Sequence, residues 1–158
     1  MSDTDIKDIW HYANNIIRTS RQMINERLCS LALSSSEGNI LLHLFTCNRE
    51  VRQEDIVGQL DISKPAVSRA VKSLEKKGYI ERSKDTLDRR ATRILTTEKA
   101  RKIKLEIEGI YNEAYLTAAR GVSEEEIAFF VTLFGKVSDN FTRARAAKKL
   151  RGENNAAK

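Results

Sequence analysis

Between residues 63 and 93 the sequence gathers side chains that suit phosphate neutralisation and hydrogen-bond readout. Ten are cationic: Lys64, Arg69, Lys72, Lys76, Lys77, Arg82, Lys84, Arg89, Arg90 and Arg93. Four are anionic, Glu75, Glu81, Asp85 and Asp88, so the segment carries +6, equal to the net charge of all 158 residues. A polyanion requires charge concentrated in this way, because each cation set against a phosphate releases a condensed counterion. Ser63, Lys64, Pro65, Ala66, Ser68, Arg69 and Lys72 form the first candidate reading element. Arg69 can fork onto the edge of a guanine, while Lys64 and Lys72, as point charges, suit phosphate. The Ser63 and Ser68 hydroxyls suit either, and the small Ala66 and Ser68 permit close approach. Asp88, Arg89 and Arg90 form a second element. An arginine on a hairpin tip fits a narrow, electronegative minor groove, and Asp88 can brace Arg90 through a charge-assisted hydrogen bond. Arg89 is the alternative minor-groove residue, and Asp88 alternatively serves only the turn.

Other chemistries lack a residue set. No Gly-rich phosphate loop or nucleophile motif is visible, and two histidines with scattered carboxylates do not make a catalytic constellation, so no enzyme activity and no cofactor are expected. His11, His43, Cys29 and Cys47 do not have the spacing of a four-ligand metal site. The two cysteines read as small, half-buried helix residues rather than a disulfide framework or a redox pair. Phe129, Phe130, Phe134 and Phe141 read as core and interface, and Trp10, Tyr12, Tyr111 and Tyr115 as interface packing, which leaves ligand-binding residues unassigned.

The elements that position these residues follow from periodicity. Apolar residues from Ile6 to Leu31 recur at helical spacing, which predicts a first helix over about 4–31. Its stripe is longer than one small subunit can cover. Ser34 and Glu37 stand in capping-box spacing and open a second helix, with Ile40, Leu41, Leu44 and Phe45 inward and an exit loop over 47–50. A short third helix spans 53–60. Ser63 is the expected N-cap of a fourth helix, with Pro65 in its first turn, Val67, Ala70, Val71 and Leu74 inward, and Gly78 ending it. Residues 79–83 and 91–95 read as the strands of a hairpin with a basic tip. One continuous helix is expected over 97–119. Another opens at the Ser123/Glu126 capping box, carries Ile127, Phe130, Val131, Phe134, Val137 and Phe141, and frays from Arg143 onward.

No apolar run approaches the ~18–20 residues that cross a bilayer. The acidic start Met1-Ser2-Asp3-Thr4-Asp5 is wrong for a secretory signal, so a cytoplasmic location and no membrane partner are expected.

Helix, tight turn, helix and hairpin is the order of a winged helix-turn-helix. The run from Asp61 through Ser63-Lys64-Pro65-Ala66-Val67-Ser68-Arg69 to Gly78-Tyr79-Ile80 resembles the recognition helix and first wing strand of MarR-type regulators. Asp88-Arg89-Arg90 followed by Ile94-Leu95-Thr96 is similar to the Asp-x-Arg wing motif and second wing strand of that family. The expected fold class is mainly α with a small β-hairpin wing (α+β), a winged helix-turn-helix with long N- and C-terminal dimerisation helices. The expected division is a dimerisation helix over 1–34, a DNA-binding lobe over 35–96, dimerisation helices over 97–150 and a flexible tail over 151–158, as one structural domain. The resemblance implies a homodimer built from the first and last helices. It also implies a pseudo-palindromic operator of double-stranded DNA, with recognition helices in successive major grooves. Finally it implies a ligand-responsive repressor, less often an activator: many members release DNA to a small phenolic or carboxylate effector, and others respond to cysteine oxidation or to metal. Two alternatives remain: a winged helix that binds protein, against which the basic segment argues, and a non-specific DNA binder, against which the two reading elements argue.

Overall fold

The computed structural model of the chain describes residues 6–47, 49–60, 62–84 and 92–156. The elements in order are α1 (Ile6–Ser30), α2 (Ser35–Cys47), β1 (Val51–Arg52), α3 (Gln53–Leu60), α4 (Lys64–Lys76), β2 (Ile80–Lys84), β3 (Thr92–Thr96), α5 (Glu98–Lys102), α6 (Lys104–Ala119) and α7 (Glu124–Ala156). They divide into two compact units, Met1–Tyr115 and Leu116–Lys158.

The first unit is a winged helix-turn-helix. Val67, Ala70, Val71 and Leu74 sit at the helical spacing that puts them on one side of α4, and all four are buried. They meet Ile40, Leu41, Leu44 and Phe45 of α2, Ile56 of α3, Ile80 and Ile94 of the sheet, and Leu28 from the end of α1 in one core. Each such side chain contributes roughly 1.5–3 kcal/mol on burial, which fixes the three-helix arrangement without assigning α4 a precise rotation. The sheet order is β1-β3-β2, with both pairings antiparallel. β2 and β3 register Ile80 opposite Thr96 and Lys84 opposite Thr92, which sets the base of the wing. Strand β1, which pairs Val51 with Ile94, occupies two residues that the sequence leaves unassigned between the exit loop and the third helix; two residues are too few to show a period.

Local chemistry places the boundaries. At α2 the Ser34 amide donates to Glu37 Oε2 at 2.7 Å and the Glu37 amide donates to Ser34 Oγ at 3.4 Å, the reciprocal pair expected of a capping box. Gly78 adopts φ +75°, and the Tyr79 amide returns to the Leu74 carbonyl, closing α4. The single helix expected over 97–119 is instead two, α5 and α6. The break falls at Ile103, whose amide donates to Ala100 three residues back while its side chain packs on the core. No glycine or proline marks this break in the sequence.

In the second unit α7 opens on its own capping box, Ser123 with Glu126, and continues through Ala156, past Arg143 where fraying is expected. Among its described residues no side chain is buried. Phe130 and Phe134 stack with centroids 4.4 Å apart. In the first unit the stripe of α1 is covered only toward its end: Leu28 is buried, whereas Trp10, Ile16 and Ile17 are exposed.

Among the described glycines, Gly38 leaves the least room for a side chain. A Cβ there would lie 2.5 Å from Leu28 Cδ1 and 2.9 Å from the hydroxyl of Tyr111, which itself donates to Asn39 Oδ1 at 2.6 Å. Gly38→Ala is therefore expected to destabilise the fold by about 1–3 kcal/mol, read as a lower thermal midpoint. An unchanged midpoint would show that α1, α2 and α6 do not meet this closely.

Candidate nucleic-acid interface

The side of α4 opposite the core carries the residues expected from the sequence to read DNA. Ser63, Lys64, Pro65, Arg69 and Lys72 are exposed, and Ala66 and Ser68 are half-buried at its edges. Pro65, Arg69, Lys72 and Lys76 recur at the spacing that keeps them on one face, so Lys76 extends the stripe. Ser63 takes the N-cap position with extended backbone, and its carbonyl receives the first helical bond, from Val67. Its hydroxyl makes no capping bond, contrary to the expectation for an N-cap serine, and is not committed to the helix.

Those cations of this segment whose side chains are described fall into two groups. Among the described residues, Lys64, Arg69, Lys72 and Lys76 enter no ion pair or side-chain hydrogen bond. Three others are held within the lobe. Arg82 of β2 pairs with Glu75 of α4, and Arg93 of β3 pairs with Glu50 at 2.8 Å, so both wing strands are braced at their bases. The Arg82 guanidinium holds the Glu75 carboxyl below its ordinary range.

The third, Lys77, is the C-cap of α4 and reaches back across the lobe. Its ammonium donates to Glu37 Oε1 and Oε2 at 2.7 and 2.8 Å, and to the Ala32 carbonyl at 2.7 Å. Glu37 is 3% exposed, a depth at which a lone carboxylate would be unfavourable. Burial alone would raise its carboxyl. The Lys77 ammonium, the Ser34 amide and the hydroxyls of Ser73 and Ser34 outweigh that and hold it below the ordinary carboxylate range. Ala32 takes a left-handed φ of 53°, which turns the chain between α1 and α2. On the far side, the Lys77 carbonyl accepts from Lys99 Nζ at 2.6 Å and the Gly78 carbonyl from Thr97 Oγ1 at 2.7 Å. The sequence shows Glu37 as a capping residue and Lys77 as one more basic residue. A pair 40 positions apart leaves no local spacing to find.

Asp88, Arg89 and Arg90 lie outside the described residues. Cys29 is exposed rather than half-buried; Cys47 is half-buried as expected, with Sγ 3.5 Å from His43 Nε2. Among the described residues no group of three or more His, Cys, Asp or Glu is arranged to hold a metal ion. Nor is any helix among them long and apolar enough to cross a membrane. A cleft of about 380 Å³ beside the start of α4 is lined by Arg21, Asn25, Asn39, Ile62, Ser63 and Ala66, with other side chains of α1 to α3.

Residues 33–92 match the MarR family. The crystal structure of the transcriptional regulator SlyA superposes with a TM-score of 0.78 at 25% identity, over 86% of this chain and 95% of that one. A MarR family transcriptional regulator from Listeria monocytogenes, solved in complex with a 26mer DNA, superposes with a TM-score of 0.74 at 26% identity, over 89% of each chain. A MarR transcriptional regulator from Methanosarcina mazei Go1 has the same fold, with a TM-score of 0.76 at 20% identity over 89% of this chain and 93% of that one.

The lowered Glu37 acidity fixes a pH dependence. Its folded-state pKa lies below its unfolded value, so the stability it contributes is present above the unfolded value and is lost as pH falls through the folded one. The stability gap between the wild-type chain and Glu37→Gln is expected to be widest above about pH 5 and to narrow on acidification, by denaturant titration at a series of pH values. A gap independent of pH would remove the ion pair from the account.

Proposed function

We propose that this chain is a MarR-family protein and a dimeric, sequence-specific DNA-binding transcriptional regulator acting as a ligand-responsive repressor. The observation that carries the reading is the sorting of charge on one helix. Cations of the lobe that meet carboxylates serve its packing, whereas Lys64, Arg69 and Lys72 stand uncommitted on the exposed side of α4. In this reading α4 enters the major groove, with Arg69 on a base edge, Lys64 and Lys72 on phosphates, and Ser63 and Ser68 serving either. The small or fixed side chains of Ala66 and Pro65 bring the helix start close. Asp88, Arg89 and Arg90 take the wing into the adjacent minor groove. The Listeria monocytogenes regulator solved with DNA supports a nucleic-acid partner for the fold.

Apolar surface supports the homodimer. Trp10, Ile16 and Ile17 of α1, Leu105, Tyr115 and Leu116 of α6, and Phe129, Phe130 and Val131 of α7 are all at least 46% exposed in the single chain. No large hydrophobic residue between Ile17 and Leu105 is exposed among the described residues. Surface of this extent and composition fits a subunit interface. For an effector, the cleft beside Ser63 and Ala66 adjoins the reading helix and offers Arg21 to an anion, so its filling would alter the fit of α4 to DNA.

Selection of duplexes from random-sequence DNA at near-physiological salt tests the reading. The expected product is a pseudo-palindrome with half-sites about one helical turn apart. Binding without sequence preference would favour the non-specific alternative, and no binding would favour a protein partner. On the selected duplex Arg69→Ala is expected to cost about 1–3 kcal/mol and to relax discrimination at one base pair. An equal loss on every sequence would move Arg69 to the phosphates. The double substitution Ile16→Glu, Ile17→Glu, at positions exposed in the single chain, is expected to leave folded monomer in sedimentation analysis. A dimer of unchanged strength would take α1 out of the interface.

A further inference from the structure

We infer that Lys77 and Glu37 are positioning residues for sequence discrimination: their ion pair fixes the rotation and tilt of α4, and so decides how well its start fits a base pattern, without touching DNA. The inference rests on the DNA-binding reading above and goes beyond it by assigning a role to two residues outside the reading face.

The start of α4 has no polar anchor of its own, since the Ser63 hydroxyl makes no capping bond. Along its length the helix is held by Val67, Ala70, Val71 and Leu74. Apolar packing is strong but non-directional, and permits small rolls and tilts at little cost. The directional contacts sit at the other end. There the Lys77 ammonium has three acceptors within 2.8 Å, two on Glu37 and one on Ala32, and the Lys77 carbonyl takes the Lys99 ammonium. Glu37 is itself fixed by the Ser34 amide, so the lock is tied to the start of α2 rather than to a mobile surface group.

The lever is long. At 1.5 Å per residue, Arg69 lies about 12 Å and Lys64 about 20 Å along the helix from the lock. A tilt of about 5° at Lys77 would displace Arg69 by about 1 Å and Lys64 by more, whereas the useful window of an N–H···O bond is only about 0.5 Å wide. Phosphate contacts, which depend on charge more than on angle, tolerate such a shift; a forked contact to a base edge does not.

The full chain and its Glu37→Gln, Lys77→Met and Lys77→Arg variants are compared on two duplexes, the one selected by the wild type and one of scrambled sequence. Affinities are taken over a range of salt, at a temperature where circular dichroism shows every variant used to be folded. Glu37→Gln removes a negative charge, so simple electrostatics would strengthen its binding to any DNA. Positioning predicts the opposite on the selected duplex: about a tenfold loss of preference over scrambled DNA, comparable to one mismatched base pair, with an unchanged salt slope. Lys77→Arg, which retains the donors, is expected to keep most of the preference. If Lys77→Met does not fold, the other two variants decide the matter. Undiminished preference in Glu37→Gln, with only its melting temperature lowered, would overturn the inference in favour of a purely structural pair. So would a loss confined to Lys77→Met that is equal on both duplexes and lowers the salt slope by about one, the mark of a phosphate contact. If the wild type itself shows no preference, the DNA-binding reading fails and takes this inference with it; a specific wild type with equally specific variants isolates the failure here.

Discussion

A single ammonium group makes the arrangement of the lobe self-consistent. Glu37 caps the start of α2 from a position inside the protein, and its carboxylate is favourable there only with a counterion. Lys77 supplies it from the end of α4, and the same nitrogen holds the Ala32 carbonyl in the left-handed turn after α1. The turn after α1, the start of α2 and, 40 residues on, the end of α4 thus meet at one nitrogen atom. Replacing the pair by apolar side chains could preserve the burial but not the direction that the ion pair gives the end of α4.

The same economy runs through the wing. A strongly basic segment repels itself, and Glu75 and Glu50 relieve that at the points where β2 and β3 leave the core. Both pairs are partly exposed and contribute little to stability. Their effect is on orientation: one ties β2 to α4, and the other ties β3 to the residue that precedes β1. What remains uncommitted is a row of cations on the exposed side of a helix whose other side is buried in the core.

Much of this is legible in the sequence because it is local. Capping boxes at Ser34 and Ser123, the stripe of α4 and the stop at Gly78 depend on residues within a few positions of one another, and these elements fall where the pattern puts them. The reading face follows from the stripe as its complement. What is not legible depends on distant partners. Strand β1 exists because Val51 meets Ile94; the break at Ile103 exists because that side chain turns to the core; and Lys77 differs from Lys76 only in what faces it. The exposure of Cys29, one residue after the fully buried Leu28, follows from the roughly 100° between successive positions of a helix.

The exposed apolar surface also has a consequence in time. Ile17 and Phe129 are separated by most of the chain, and a ribosome adding roughly 5–20 residues per second takes about 6–22 s to pass from one to the other. For the later part of that interval the apolar half of α1 is outside the tunnel while α7 has not yet been made. If both helices contribute to one interface, the nascent chain must shelter that surface without its eventual cover.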